Sequence, residues 1–213
     1  MDRWESYLKA ALAAAKHDAG DLFEYEVEVT GGYASARAVW RRFSVDAFLA
    51  GELFESFSLK LDLRFGRVGA EIVQLEDLLG FAGLEPVEVE AMAVEAQLAD
   101  CLRAYVRSVE WGWKGPSSQI LLDMKLISEL PALDATNLNL CILGVFRKYN
   151  DPIPASLPYP PEEWVEWYRR AAESMGAPPE LDDGYSDAAA LLEPLLSGDV
   201  LTGTWSHTER SWK

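Results

Sequence analysis

Cysteine and histidine are scarce in this chain. It has two cysteines and two histidines in 213 residues. Cys101 and Cys141 stand far apart and match no zinc spacing, so neither a disulfide framework nor a structural metal is expected, and a reducing cytoplasm is the natural compartment. No apolar run reaches the length of a membrane span, and the charged opening MDRWE is unlike a signal peptide, so no membrane partner is expected. Cations are also scarce. Nineteen Lys and Arg face 35 Asp and Glu, a net charge of −16. Such a field repels nucleic acid unless a local basic patch overrides it. Arg37, Arg41 and Arg42 form one small cluster and Arg169 with Arg170 another, neither a long stripe, so no nucleic-acid partner is expected.

Apolar residues are plentiful. They make up 49% of the chain and aromatics 11%, enough at this length for a core without covalent staples. Trp4, Leu8, Leu12 and Ala15 recur at helical spacing, which predicts a helix over 2–16 closed by Gly20, with His17 answering the dipole in its last turn. Residues 22–30 then alternate: Phe23, Tyr25, Val27 and Val29 on one face, Glu24, Glu26 and Glu28 on the other. Gly31-Gly32 turns the chain, and a second strand over 36–45 is expected to set Arg37 and Arg41 beside the glutamates as cross-strand pairs. A third alternating run, 57–65, points Phe57, Leu59, Leu61, Leu63 and Phe65 one way and Ser58, Lys60, Asp62 and Arg64 the other, giving Asp62 two cationic neighbours.

Beyond Pro86 the periodicity becomes helical. Val94, Leu98, Leu102, Tyr105 and Val109 form one stripe with Cys101 at its edge, a position for a buried thiol without an evident base. In the next helix Lys125, Ser128 and Glu129 share the polar side, while Asp123 falls among Leu126, Ile127 and Leu130 on the apolar arc. A carboxylate there is either a hydrogen-bonded core residue or a pocket acid. The proline-rich run PIPASLPYPP reads as a stiff linker, followed by a helix that Pro161 starts and Gly176 ends, and another over 186–197 closed by Gly198. The order predicts an α+β (α/β) chain: a sheet core over 1–90 and a helical region over 91–213.

Several stretches, in order, resemble the AbiEii/AbiGii-type nucleotidyltransferase toxin family. They are HDAGDLFEYEVE, FLAGELFESFSLKLDLRFG, LLGFAGLEPVEVEAMAVEAQLADCLRAYVR, LLDMKLISELP, FRKYNDPIPASLPYPPEEWVEWYRRAA and TWSHTERSW. The resemblance implies a nucleotidyltransferase-like mixed sheet followed by a helical bundle. It also implies a Gly-Gly or Gly-Ser turn and an Asp-x-Asp pair that hold nucleotide phosphates and two divalent metals. Here the match begins with the helix that follows that motif. The family's third carboxylate aligns with Asp62. Its Ala-Glu-Lys-Leu reads Ala99-Asp100-Cys101-Leu102, and its Arg-x-Lys-Asp-Leu-x-Asp reads Ser117-Ser118-Gln119-Ile120-Leu121-Leu122-Asp123. Cations that phosphoryl chemistry relies on have become Cys, Ser and Gln.

The expectation is a degenerate nucleotidyltransferase-like protein that has lost the transfer reaction and uses its cleft for a non-nucleotide small molecule, bound or even transformed. Asp62 and Asp123 are the candidate catalytic residues, and Lys60, Arg64, Cys101, Ser117 and Gln119 the candidate lining residues. No metal or other cofactor is expected. Two alternatives stay open: an active toxin-type transferase using a nucleoside triphosphate and Mg²⁺, and an acidic partner-binding protein whose eight tryptophans serve an interface.

Overall fold

A computed structural model describes residues 9–10, 12–13, 22–34, 39–62, 70–74, 88–113 and 117–213. The chain divides into two compact units, Met1–Arg67 and Val68–Lys213. The class is α+β, as the order of elements implies. Every strand pairing among the described residues is antiparallel, so the mixed character expected of the sheet does not show in them. Of the helix expected over 2–16, only Lys9, Ala10, Leu12 and Ala13 are described, and these are helical. The remainder, with His17, lies outside the described residues.

The first unit carries a three-stranded meander, β1 (Phe23–Ala34), β2 (Val39–Leu49) and β3 (Glu52–Asp62), in that order. Phe43, Val45 and Ala47 of the central strand are buried. Val29, Val27 and Tyr25 stand opposite them on β1, and Leu59, Phe57 and Glu55 on β3. This is the apolar face that the alternation predicted. The register corrects one expectation. Glu24, Glu26 and Glu28 oppose Phe48, Asp46 and Ser44, while Arg41 and Arg42 oppose Gly32 and Gly31. Turn position fixes hairpin register, and it leaves these arginines at the turn end of the ladder, away from the glutamates. Arg37 lies outside the described residues. Asp46 instead accepts a hydrogen bond from Ser56 Oγ across the sheet at 2.6 Å.

The second unit opens with a hairpin of β4 (Ala70–Gln74) and β5 (Glu88–Met92), two short strands the sequence reading did not separate. Five helices follow: α1 (Val94–Glu110), α2 (Ser118–Ser128), α3 (Ala135–Tyr149), α4 (Val165–Ser174) and α5 (Leu181–Leu196). Leu98, Leu102 and Tyr105 of the predicted α1 stripe are fully buried. Helix α2 packs against α1, α4 and α5. Helix α3 begins at Asp134, whose carboxylate accepts the Asn137 N–H at 2.7 Å, and ends at Asn150 in the left-handed conformation. Glu95 at the start of α1 accepts the Asp134 N–H at 3.2 Å, and Arg103 further along reaches Asp151 at 2.7 Å, so α1 and α3 run the same way.

The proline-rich segment is pinned to the bundle by three hydrogen bonds at or beside it. Tyr105 donates to Pro158 O at 2.6 Å, Tyr185 to Leu157 O at 3.0 Å, and Trp164 Nε1 to Trp113 O at 2.7 Å. A short C-terminal hairpin, β6 (Trp205–Ser206) with β7 (Ser211–Trp212), closes the unit. Trp205 donates to Ser128 O at 2.7 Å and Trp212 to Leu191 O at 2.9 Å. Each indole thus supplies apolar area and satisfies a carbonyl at its polar edge. Among the described residues no helix is long and apolar enough to cross a membrane.

Candidate functional site

Helices α1 and α2 carry the candidate site residues of the second unit. Cys101 sits on α1, partly buried at the edge of the apolar stripe, as its spacing predicted. Burial pushes its thiol up to about 12, and the charges of Asp123 and Asp100 add to the shift. Asp123 on α2 is therefore close enough to Cys101 to act on it. A thiol that holds its proton this tightly is a poor nucleophile at neutral pH.

Asp123 corrects the helical-wheel reading. It is exposed, not set in the core with Ile127. Protein atoms still crowd the carboxyl, and this desolvation raises its pKa. Of the residues expected on the polar side, Glu129 is exposed, but Lys125 is 2% exposed and Ser128 5%. The reason is the packing of α2. Neighbours lie on three sides, and the open side is the one carrying Gln119 and Asp123. Lys125 is buried along nearly its whole side chain and pairs with the carboxylate of Glu129. Ser128 donates to the Lys125 carbonyl at 2.6 Å.

Ser117 stands at the start of α2, buried, without a side-chain capping bond, and Gln119 in the first turn is exposed. One helical turn separates Gln119 from Asp123, so the two share the open side. Lys60 and Asp62 belong to the first unit. Lys60 is exposed, with its ammonium 5.5 Å from the Trp40 ring centroid. Asp62 pairs with Trp40 in the ladder, and Arg64 lies outside the described residues. The structure thus brings Cys101 and Asp123 together, with Gln119 and Ser117 one to two turns away.

Sequence reasoning missed the acids around this surface. Asp100 acts on both Cys101 and Cys141, and Glu95 acts on Cys141, whose thiol is also raised, chiefly by burial. Among the described residues, every charge that moves either thiol is a carboxylate. The local field is therefore negative where the resemblance would place a lysine. Also missed was a ladder on the far end of α1. Asp151 lies between Arg103, at 2.7 Å, and Arg107, at 3.7 Å. Arg103 stacks 3.6 Å from the Tyr149 ring centroid and Arg107 4.0 Å from that of Trp111. The two arginines are one turn apart in sequence, but nothing local announces a partner 48 residues away.

Among the described residues no three His, Cys, Asp or Glu side chains gather as a metal site requires, so these residues do not assemble the two-metal clamp that the resemblance calls for. In comparison with known proteins, no family model matches the chain, and no curated protein matches it.

Proposed function

We propose that this protein keeps a nucleotidyltransferase-like scaffold of the AbiEii/AbiGii type, no longer transfers nucleotides, and binds a non-nucleotide small molecule on the open side of α1 and α2. The observation that carries the reading is the charge around Cys101. The position that would hold a phosphate-binding lysine holds a protonated thiol, and Asp123 and Asp100 are the charges that act on it. A triphosphate brought there would meet the like charge of Asp123 and Asp100. A neutral or amine-bearing ligand would meet thiol, amide and carboxyl groups able to hydrogen-bond it. Cys101, Asp123 and Gln119 are the residues expected to touch it. Asp62 is the surviving family carboxylate on the first unit.

A second reading has its own support. Trp111 and Trp113 are about half exposed, with ring centroids 5.1 Å apart, and Trp167 is equally exposed. Such aromatic surface suits a protein partner.

A thermal-shift survey tests the proposal. A ligand at a hundred times its dissociation constant stabilises by roughly 2.7 kcal/mol, which is readily measured. The survey covers each nucleoside triphosphate with and without Mg²⁺, then a library of uncharged and amine-bearing compounds. The expected result is no triphosphate shift, and a compound whose shift disappears in Asp123→Asn. A Mg²⁺-dependent triphosphate shift abolished by Asp62→Asn would restore the transferase.

A further inference from the structure

Helix α3 has an outward face unlike the rest of this acidic chain. Leu140, Leu143, Gly144 and Arg147 follow at helical spacing along it. Leu140 is 62% exposed and Leu143 49%, and a methyl placed on Gly144 would meet nothing within 4 Å. Leu201, also exposed, lies beside this helix, where Asn139 Nδ2 donates to its carbonyl at 3.4 Å. Residues 135–149 contain no Asp or Glu, in a chain of net charge −16.

The charges on this helix are arranged end to end. Arg147 and Lys148 occupy its last turn. Two carboxylates occupy its beginning: Asp134, which caps it, and Glu95, which accepts the Asp134 N–H. An apolar centre with opposite charges at its two ends is complementary to itself when reversed. Two like-charged chains repel least where neither presents a carboxylate in the middle of the contact.

We infer that the outward face of α3 is a self-association surface whose occupant is a second copy of this chain, in antiparallel orientation about a two-fold axis. The axis falls between Leu140 and Leu143, so Leu140 of each copy meets Leu143 of the other. Arg147 then lies level with Thr136 of the second copy, beside that copy's Asp134 and Glu95, and the same contact repeats at the other end. A two-fold interface requires this reciprocity. Gly144 allows the two backbones to approach. One helix pair covers less than the roughly 1,200–2,000 Å² of a standard stable interface, so the pair forms at high chain concentration and separates on dilution. The inference stands independently of the proposed ligand.

Sedimentation velocity of the full chain, over about two decades of concentration in the micromolar range, tests it. The weight-average mass is expected to climb above the monomer's 23.7 kDa towards twice that value. Leu140→Lys with Leu143→Lys is expected to hold it at the monomer value with an unchanged circular dichroism spectrum, since both side chains are exposed. Arg147→Glu should weaken association about tenfold, as a charge-complementary contact requires. A wild type that stays monomeric at the highest concentration overturns the inference. So does a dimer that survives the double substitution, which would place the contact elsewhere. A double variant that melts earlier while the wild type remains a monomer overturns it as well, because the face would then be covered within its own chain.

Discussion

The thiol of Cys101 offers a quantitative check on the electrostatics of the site. Its ordinary pKa of 9.0 is raised to about 12, first by burial and then by Asp123 and Asp100. At pH 8 an ordinary thiol is about one-tenth ionised, and one with a pKa near 12 about one part in ten thousand. Alkylation requires the thiolate, so Cys101 should react with iodoacetamide about a thousandfold more slowly in the folded protein than in urea. Limited access alone would also slow the reaction, so the pH dependence is the decisive readout. A thiol of high pKa gains reactivity about tenfold per pH unit with no plateau up to pH ~11. A merely shielded thiol of ordinary pKa levels off above pH ~9. Site-resolved mass spectrometry separates Cys101 from Cys141. Asp123→Asn should accelerate Cys101 by less than tenfold, because burial is the larger cause. A plateau below pH 10 would refute the reasoning, because the thiol would then have an ordinary pKa.

Two further predictions concern the second unit. A methyl on Gly184 would lie 2.6 Å from Tyr168 Cζ and nearer still to its hydroxyl, inside a fully buried contact. Overpacking of about 1–3 kcal/mol outweighs the helix-propensity gain of about 1, so Gly184→Ala should lower stability in urea unfolding; an increase would contradict this. The Tyr168 hydroxyl is buried with no hydrogen-bond partner among the described residues, so Tyr168→Phe should be neutral or stabilising by up to about 1 kcal/mol. High pH should also weaken the fold. Burial raises Cys101 and Tyr168 to about 12, and raises Tyr105 too. Their folded pKa values exceed the unfolded ones, so this stability is complete below pH ~9 and is lost as pH climbs towards 12. The urea midpoint should fall between pH 8 and 11, and a flat profile would count against these shifts.

The sequence made regular elements with one dominant period easy to read. Phe23, Tyr25, Val27 and Val29 alternate because they share the sheet face on which Phe43, Val45 and Ala47 are buried, and Leu98, Leu102 and Tyr105 recur because one side of α1 is buried. Helix α2 was misread at Asp123, Lys125 and Ser128 for a physical reason. It is enclosed on three sides, so its apolar residues spread around the wheel and the weak amphipathic pattern cannot show which side stays open. Lys125 misleads in the same way, since a long stem can be buried while its charge reaches Glu129. The pairing of glutamates with Arg41 failed because register depends on the turn, which alternation does not encode. The negative surroundings of Cys101 arise from residues one position and one helix away. Asp100 was readable beside it, but the approach of Asp123 depends on how α1 and α2 pack.

The central claim, that nucleotidyl transfer has been lost, is tested most directly by a label-transfer assay. The purified chain is incubated with Mg²⁺, nucleoside triphosphates labelled at the α-phosphate, and total RNA and protein as acceptors. The account predicts no label in any acceptor above the level without protein. Mg²⁺-dependent incorporation that Asp62→Asn abolishes would contradict it.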